Sequence, residues 1–410
     1  MTELATAPTM DDVRAAAEVI SHIAHRTPVE RSMAFGEFTG SPVFLKCENM
    51  QRTGSYKLRG ATYRLSKLTA SERAAGVVAA SAGNHAQGVA MAARELGIAA
   101  TIFMPVGVAL PKLQATRRYG ASVELVGVTV TESLVAAQEF ASRTGAIFIP
   151  PYDHPDVIAG QATVGVEVME QVPDVDTIVV PIGGGGLAAG VAIAARAQAQ
   201  KRGRPVRVVG VQSEACAPYL PSLQQGHPVT VAPASTIADG ILVQTPGSLN
   251  FEIIRELVDE VVTVSDDDIA RAIIALLERA KLVVEPAGAV SCAALVSGRI
   301  ESPGTTVAIL SGGNIDPLLL ERVIRHGLTA LSRYTNITVE LPDRPGQLTI
   351  ISQIISECDA NVIEVLHTRH GRGQGITTVE LQLSIETRGP EHRDEVLDAL
   401  RARGYTPLER

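Results

Sequence analysis

Four consecutive glycines, Gly183 to Gly186, constrain the fold of this chain more than any other run of residues. The β-branched run from Thr177 to Ile182 precedes them, and a helical pattern begins at Leu187. A strand, a turn without side chains and a helix N-terminus together cradle a phosphate, because bare amides converge on it and the helix dipole favours its charge. The run therefore predicts a phosphate site within an α/β fold.

A lysine follows another strand-like run near the start of the chain. Lys57 lies in the segment Gly54 to Ala61, after the strand-like residues Val43 to Glu48. An isolated lysine near a strand end is more often a solvated surface residue. Its amine can instead form a Schiff base with an aldehyde cofactor if another segment holds the phosphate and ring of that cofactor. Because the glycine run offers such a segment, we interpret Lys57 as the candidate catalytic residue.

A nicotinamide dinucleotide site is the main alternative interpretation of the glycine run. Gly184 to Ala189 fits the dinucleotide fingerprint. Glu214, at the end of the next strand-like run, Val206 to Val211, could be the acid of that fingerprint. However, this acid lies further on than the usual distance of about 20 residues, and the turn has four successive glycines where the fingerprint needs three spaced ones. Both departures argue against a dinucleotide.

Two further strand ends carry polar loops. The loop Ser81 to Gly88 follows the strand-like Val77 to Ala80, and Ser311 to Asn314 follow the strand-like Thr306 to Leu310. Together with the lysine segment and the glycine turn, these loops resemble the pyridoxal-phosphate enzymes of the tryptophan-synthase-β fold type. More narrowly, they resemble the threonine and serine ammonia-lyases. The resemblance covers roughly residues 10 to 325, with the motifs in the family order.

Strand-like and helical runs alternate along this region, which is typical of parallel sheets with crossover helices. The resemblance implies an α/β fold with two open, mostly parallel sheets and the cofactor in the cleft between them. It assigns residues 1–64 and 151–327 to a large catalytic domain and residues 65–150 to a small one. Ligands of such sheets bind at the carboxyl ends of the strands, where the glycine turn and both polar loops are expected.

The resemblance also implies roles for individual residues. Lys57 would hold pyridoxal 5'-phosphate, and its freed amine would take the proton from the α-carbon of the substrate. The carboxylate of an amino-acid substrate is assigned to Ser81, Ala82, Gly83, Asn84 and His85. The other cofactor contacts are assigned to Tyr56, Asn84, Gly183, Gly184, Gly185, Gly186, Leu187, Gly240, Glu285 and Ser311.

Ser311 matches the family residue that faces the pyridine nitrogen. A hydroxyl there leaves the nitrogen unprotonated, so the ring is a weaker electron sink than it would be beside a carboxylate. A weak sink suppresses transamination but permits β-elimination, because the leaving hydroxyl takes the electrons as they arrive. Serine is also common at turns, and Glu285 could equally cap a helix. Tyr56 departs from the expected phenylalanine and brings a hydroxyl that needs a partner.

The implied reaction is β-elimination of L-threonine or L-serine to a 2-oxo acid and ammonia. These substrates differ by one methyl group, worth about 1 to 3 kcal/mol in a pocket, so the sequence does not rank them. A racemase of the same fold is one alternative, but it needs a second serine after Ser81, where this chain has Ala82. A non-catalytic amino-acid sensor is another alternative, and the intact Lys57 argues against it.

The composition shifts after about Gly327, where a β-α-β-β-α order begins that is typical of a ferredoxin-like split. Residues 333–410 resemble the ACT domain, a ligand-sensing module with an Asp-Arg-Pro-Gly turn, here Asp343 to Gly346. Residues Gly371 to Gly375 are predicted to form a hairpin loop, and a last strand would start at Tyr405. The resemblance implies a tetramer regulated by a branched-chain amino acid, although the module could instead only support oligomerisation. The candidate effector residues, at an expected interface between paired modules, are Asp343, Gly346, Gln347, Leu348 and Asn361.

Composition excludes several other classes of protein. The 410-residue chain has a net charge of −8 and no basic face, so we expect no nucleic-acid partner. No apolar run reaches the roughly 20 residues that span a membrane, and Met1 to Met10 lack a secretory pattern. The four cysteines are scattered, which predicts reduced thiols in a cytoplasmic protein. No cluster of metal ligands is visible in the sequence, so we predict no metal. The stretch Glu214 to Leu220 also lacks the second acid of relatives that bind a cation, which puts that site in doubt.

Overall fold

The structure is a computed structural model that describes residues 6–301, 304–369 and 377–409. The chain divides into two compact units, a first unit of Met1–Pro317 and a C-terminal module of Leu318–Arg410. The division between the units lies closer to the N-terminus than the domain boundary near residue 330 that the sequence indicates. The reason is that a helix before the first strand of the module packs with the module.

The strands of the first unit form two open sheets within the described residues. In chain order they are β1 (Val29–Ser32), β2 (Val43–Lys46), β3 (Val77–Ala80), β4 (Ala100–Met104), β5 (Ser122–Leu125), β6 (Ile147–Phe148), β7 (Thr177–Pro181), β8 (Arg207–Ser213), β9 (Glu260–Val264) and β10 (Thr306–Ile309). The larger sheet has the order β1-β2-β10-β7-β8-β9, and the smaller has the order β5-β4-β3-β6. Except for the antiparallel pair β1 and β2, all neighbouring strands are parallel. The expected pair of mostly parallel sheets is therefore confirmed.

Helices connect and cover these strands. They are α1 (Met10–Ser21), α2 (Met33–Thr39), α3 (Lys57–Ser66), α4 (Ala70–Ala75), α5 (Asn84–Glu95), α6 (Leu110–Arg118), α7 (Val130–Thr144), α8 (Pro155–Gln171), α9 (Gly186–Arg202), α10 (Tyr219–Gln225), α11 (Ser248–Leu257), α12 (Asp266–Ala275) and α13 (Pro286–Val296). Short 3₁₀ turns span Glu48–Met50 and Asp239–Ile241, and a π-helical turn spans Leu276–Ala280. None of the helices in the described ranges is both long and apolar enough to cross a membrane.

The central strands are buried at every residue, because helices cover both faces of a parallel sheet. Strands β3 and β7 both show this pattern. Helix α3 packs closely on α8, since a Cβ added at Gly160 would lie 2.6 Å from the Gly60 Cα. The close approach of these helices fixes the position of Lys57 at the start of α3.

A buried network of charges holds the first turn of α3. The Arg59 guanidinium, only 1% exposed, donates to Glu48 Oε2 at 2.9 Å and to Glu167 Oε1 at 2.7 Å. Lys46 Nζ donates to Glu167 Oε2 at 2.5 Å. Burial raises the pKa of Glu48, but the Arg59 guanidinium outweighs it and holds this pKa below its ordinary value. Because buried charges need partners, the network ties α3 to α8 and to the end of β2.

The C-terminal module has the predicted ferredoxin-like order. Its elements are α14 (Pro317–Ala330, which starts at the unit boundary), β11 (Tyr334–Pro342), α15 (Gln347–Glu357), β12 (Asn361–Thr368), β13 (Thr378–Glu386), α16 (Pro390–Ala402) and β14 (Leu408–Glu409). The strands form an antiparallel sheet in the order β12-β13-β11-β14. The last strand is confirmed but starts three residues after Tyr405, and the predicted loop Gly371 to Gly375 lies outside the described residues.

Candidate active site

The predicted loops meet at one edge of the two sheets. Ser81 follows β3, Gly183 follows β7, and Ser311 follows β10. Parallel strands of one sheet share their carboxyl edge, so loops that follow them lie close together. The contacts described below join these loops to one another and to Lys57.

Lys57 is the first residue of α3, and its side chain is half-buried. Its Nζ donates to the Pro151 carbonyl at 2.8 Å and lies 5.3 Å from the centroid of the Tyr56 ring. Burial lowers the pKa of Lys57 to about 8, although the nearby Glu285 carboxyl favours the charged amine. An amine with such a pKa is partly neutral near pH 7 and can act as a nucleophile or a base.

The end of β10 holds the residues that precede Lys57. Tyr56 N–H donates to the Ser311 carbonyl at 3.2 Å, and Ser55 forms an isolated β-bridge with Gly312. Ser311 is buried, and burial also raises the pKa of Tyr56, so its hydroxyl stays neutral. Lys57 and Ser311, which are 254 positions apart (311 − 57), are thus brought to the same edge of the larger sheet.

Asn84 and Glu285 meet in the cleft. Asn84 Nδ2 donates to Glu285 Oε1 at 2.5 Å, and Asn314 Nδ2 donates to Asn84 Oδ1 at 2.8 Å. Burial raises the pKa of Glu285 to about 7, although the hydrogen bond from Asn84 opposes this shift. The Glu285 carboxyl is therefore poised between its protonated and charged forms near neutral pH.

The loop Ser81 to Asn84 is half-buried and leads into α5. Gly83 N–H donates to Ser81 Oγ at 3.1 Å, which bends the loop. The imidazole of His85 points to the Ile149 carbonyl, 2.9 Å from Nε2. Burial, together with the Lys57 charge, lowers the pKa of His85 to about 3, so the ring stays neutral. His85 therefore offers the loop its backbone and no positive charge.

The glycine turn before α9 is held by polar side chains. The Gly184 carbonyl accepts from Asn250 Nδ2 at 2.9 Å and from the Tyr219 hydroxyl at 3.2 Å. Gly185 has φ +102°, and a Cβ at Gly184 would overlap the Tyr152 ring. Across the described chain, no group accepts a hydrogen bond from the amides of residues 183–187. These free amides at a helix N-terminus fit a phosphate group.

Gly240 and Leu187 are two other predicted cofactor residues, one in a neighbouring turn and one at the start of α9. A Cβ at Gly240 would lie 2.9 Å from the Ala287 Cβ, and one at Gly183 would lie 3.1 Å from the Ile241 Cα. The Asp239–Ile241 turn therefore lies between the glycine turn and α13. The Leu187 side chain packs in the hydrophobic core, so only its backbone amide faces the turn.

Residues that sequence reasoning missed complete the site. Pro151 and Tyr152 contact Lys57 and the glycine turn, as described above, and they follow β6. The rule that ligands bind at the carboxyl ends of strands could have identified them. Lys112 pairs with Asp239 at 3.2 Å, and its place on α6 gives no comparable signal in the sequence.

The candidate effector residues fall into two places in the C-terminal module. Asp343, Gly346, Gln347 and Leu348 line one cavity of about 400 Å³, together with His367 and Arg369. Asn361 lines a different cavity, with Arg333 and Arg388. The register explains this separation, because Asn361 pairs with Glu386 at one end of β13 whereas Pro342 pairs with Thr378 at the other. Within one module, the structure does not bring Asn361 next to the turn.

Glu214, the retained acid of the expected cation stretch, pairs with Arg299 at 3.3 Å. In the parts of the chain that the structure describes, no group of three His, Cys, Asp or Glu side chains is placed to hold a metal.

Comparisons with known proteins agree with this geometry. The family model described as "Pyridoxal-phosphate dependent enzyme" matches residues 20–312. The chain is 44% identical to an L-threonine ammonia-lyase of Thermotoga maritima over 97% of this chain and 98% of that protein. It is 47% identical to a catabolic L-threonine dehydratase of Escherichia coli over 75% of this chain and 93% of that protein. The structure of maize serine racemase superposes with a TM-score of 0.73 at 34% identity, covering 79% of this chain and 99% of the racemase.

Proposed function

The chain belongs to the family of pyridoxal-phosphate-dependent enzymes, and from this premise we propose that it deaminates L-threonine to 2-oxobutanoate and ammonia. Relatives named for this reaction are 44% and 47% identical to it. The observation that carries the proposal is the Lys57 amine, whose pKa burial lowers to about 8, at the edge where a glycine turn presents free amides.

The residues of the cleft fit pyridoxal phosphate. The amides of Gly183 to Gly186 would bind its phosphate, Lys57 its aldehyde carbon, and Asn84 and Ser311 its ring. When bound, the cofactor withdraws electrons from the α-carbon of an amino acid attached to it. A side chain at Gly184 would displace the Tyr152 ring, so the absence of one keeps the backbone open to the phosphate.

Lys57 moves the proton in the proposed reaction. Its neutral Nζ takes the proton from the substrate α-carbon, which is why a pKa near the working pH matters. The protonated Nζ is then an acid in the same site and supplies a proton to the departing β-hydroxyl. The Pro151 carbonyl, 2.8 Å from Nζ, orients the amine between these steps.

The loop Ser81 to Asn84 binds the substrate carboxylate in this proposal. The Ala82 and Asn84 backbone amides and the Ser81 hydroxyl are neutral donors, and the side-chain amide of Asn84 is already fixed by Glu285 and Asn314. A fixed loop aligns the α-carbon with Lys57 at little entropic cost. L-serine offers the same carboxylate and hydroxyl, so we propose that it is a second substrate.

An assay of the purified protein tests the proposal. L-threonine should yield equal amounts of 2-oxobutanoate and ammonia, and L-serine should yield pyruvate. Lys57→Ala should lower this rate roughly 10²- to 10⁴-fold, as expected for loss of a proton-transferring group. Lys201→Ala, at the exposed far end of α9, is the matched control and should keep the wild-type rate. No 2-oxobutanoate from L-threonine, or full activity of Lys57→Ala, would overturn the proposal.

Racemisation of serine is the alternative that the maize structure favours. A racemase needs a group that returns a proton to the opposite face of the substrate, and the Ala82 methyl beside Ser81 cannot do this. We therefore expect no D-serine from L-serine while pyruvate accumulates. Chiral chromatography of the reaction mixture checks this expectation.

We further propose that the C-terminal module binds a branched-chain amino acid and regulates the enzyme. The turn Asp343 to Gly346 ends at a helix N-terminus that offers amides to a carboxylate. The nearby Leu348 and Ile350 are exposed and suit an apolar side chain. The edge strand β12 also exposes Ile363, Val365 and Leu366, which a second module would cover.

Such pairing supports a tetramer, in which Asn361 of one module could reach the turn of another. A cytoplasmic location is part of the same proposal. It is supported by the free thiols of Cys47, Cys216, Cys292 and Cys358, as expected in a reducing compartment.

A further inference from the structure

An ion pair lies at the mouth of the cleft. Lys112 Nζ donates to Asp239 Oδ2 at 3.2 Å. Lys112 belongs to α6, which follows a strand of the smaller sheet, whereas Asp239 begins the turn that packs on the glycine turn of the larger sheet. The pair therefore bridges the two sides of the cleft.

Lys112 also stands over the loop that is proposed to bind the substrate carboxylate. A Cβ added at Gly83 would lie 4.0 Å from Lys112 Nζ, which is the nearest atom outside residues 82–84. The Lys112 side chain is 20% exposed and that of Asp239 is 59% exposed, so the lysine is the inner partner. Its ammonium therefore lies beside the loop.

The charges of this pair act on the interior of the cleft. Burial is the main reason that the pKa of Glu285 rises to about 7, but Asp239 raises it further and Lys112 lowers it. Glu285 accepts the hydrogen bond of Asn84, the last residue of the loop. The field of Lys112 thus reaches the place where the substrate would lie.

The loop itself offers no positive charge. Ser81, Ala82, Gly83 and Asn84 are neutral, and His85 stays neutral because burial lowers its pKa to about 3. A carboxylate that leaves water for neutral donors alone gives up part of its solvation, and a nearby cation offsets this cost.

We infer that Lys112 is a substrate-binding residue whose ammonium attracts and orients the carboxylate of the amino acid, and that Asp239 holds this ammonium over the loop. The inference rests on the proposed function, because it assumes that an amino acid binds beside Lys57. Lys112 is then the residue that favours substrates with a charged carboxylate.

Equilibrium binding of two ligands tests the inference. L-alanine has no β-hydroxyl to eliminate, and L-alaninamide lacks the carboxylate charge, so each can be titrated against the visible absorbance of the holoenzyme. Lys112→Gln should weaken L-alanine binding about fivefold, as for a charge pair near a protein surface, and leave L-alaninamide binding unchanged. Lys112→Arg should retain most of the affinity, and Lys201→Gln is the matched control. Added salt should weaken L-alanine binding more in the wild type than in Lys112→Gln.

Two outcomes would overturn the inference. One is equal weakening of both ligands by Lys112→Gln, which would indicate a structural role. The other is recovery of wild-type L-alanine affinity in the double variant Lys112→Asp with Asp239→Lys, which keeps the bridge but reverses the charge over the loop. A wild-type protein that binds L-alanine but does not deaminate L-threonine would overturn the proposed function and leave this inference standing.

Discussion

Helices α9 and α15 each begin after a glycine in the left-handed region, but the surroundings of the two glycines differ. Gly185, with φ +102°, precedes α9, and a Cβ there would overlap the Tyr219 hydroxyl and lie 2.9 Å from the Asn250 Cβ. Gly346, with φ +91°, precedes α15, and a Cβ there would meet no atom within 4 Å. Side chains enclose the first turn, whereas the second is open on one side, as the proposed pairing with a second module requires.

The charges of the two units differ in the same way. Arg59 is 1% exposed and has the buried Glu48 and the half-buried Glu167 as partners. In the C-terminal module, Arg403 pairs with Glu357 at 3.0 Å, but its side chain is 54% exposed. Burial fixes the ion pairs of Arg59 in the first unit, whereas the ion pair of Arg403 in the module lies in water, where a partner or a ligand can rearrange it.

The largest expected effect breaks the buried network. Arg59→Met should destabilise the first unit by about 3 to 5 kcal/mol, because it leaves Glu48 buried without its partner. Arg403→Met should change the stability of the module by less than about 1 kcal/mol. Urea unfolding followed by circular dichroism and by residual activity separates the two. Equal effects of the two substitutions would remove the contrast between the units.

The glycine turns provide the second test. Gly185→Ala should weaken the retention of pyridoxal phosphate about ten- to a hundredfold, because left-handed strain of about 1 to 3 kcal/mol adds to the overlap with Tyr219. Gly346→Ala carries comparable strain but meets no neighbour, so it should leave cofactor retention unchanged. Dialysis against buffer and the remaining visible absorbance measure this. Normal cofactor retention by Gly185→Ala would show that the cradle tolerates a side chain.

The sequence predicted those parts of the fold that local patterns determine. The strand before the glycine turn was predicted from Thr177 to Ile182 and spans Thr177–Pro181, because β-branched residues and glycines signal locally. The ferredoxin-like order was predicted for the same reason. Helix α14 was not predicted, although it joins the C-terminal module.

Contacts between distant segments could not be predicted in this way. The hydrogen bond of Asn84 with Glu285 joins residues 201 positions apart, and only the family resemblance suggested that both lie near the cofactor. Asn361 was grouped with the turn at Asp343, but strand register places them at opposite ends of the sheet in one module. Register depends on pairing across the sheet, which one strand alone does not specify.

The third test uses the pKa of Lys57, an amine of the cleft that has no counterpart in the open turn of the module. Burial lowers this pKa to about 8, so the fraction of the amine that is neutral increases as the pH rises and levels off above pH 8. For protein freed of cofactor, the rate of pyridoxal phosphate uptake should therefore rise about tenfold for each unit of pH increase up to pH 8. Above pH 8 the rate should be constant. Stopped-flow absorbance measures the rate. A plateau only above pH 10 would indicate an amine that burial does not affect.

The last test concerns the module. If a branched-chain amino acid binds at the turn Asp343 to Gly346, its coupling to substrate affinity should be about 1 to 3 kcal/mol, a typical coupling between two sites. A chain ending at Ala330 should keep the wild-type kcat but lose the change in KM that isoleucine or valine causes. Leu348→Asp in the full-length chain should have the same result, because a carboxylate would replace an exposed apolar surface of the cavity and repel the ligand carboxylate. Leu408→Asp, at an exposed leucine on β14 outside that cavity, is the matched control and should respond as the wild type does.

Calorimetry with isoleucine and valine, together with sedimentation of each variant, decides between a regulatory and a structural role of the module. Absence of binding to the full-length protein, with loss of the oligomer in the shortened chain, would make the module structural and the regulatory proposal wrong.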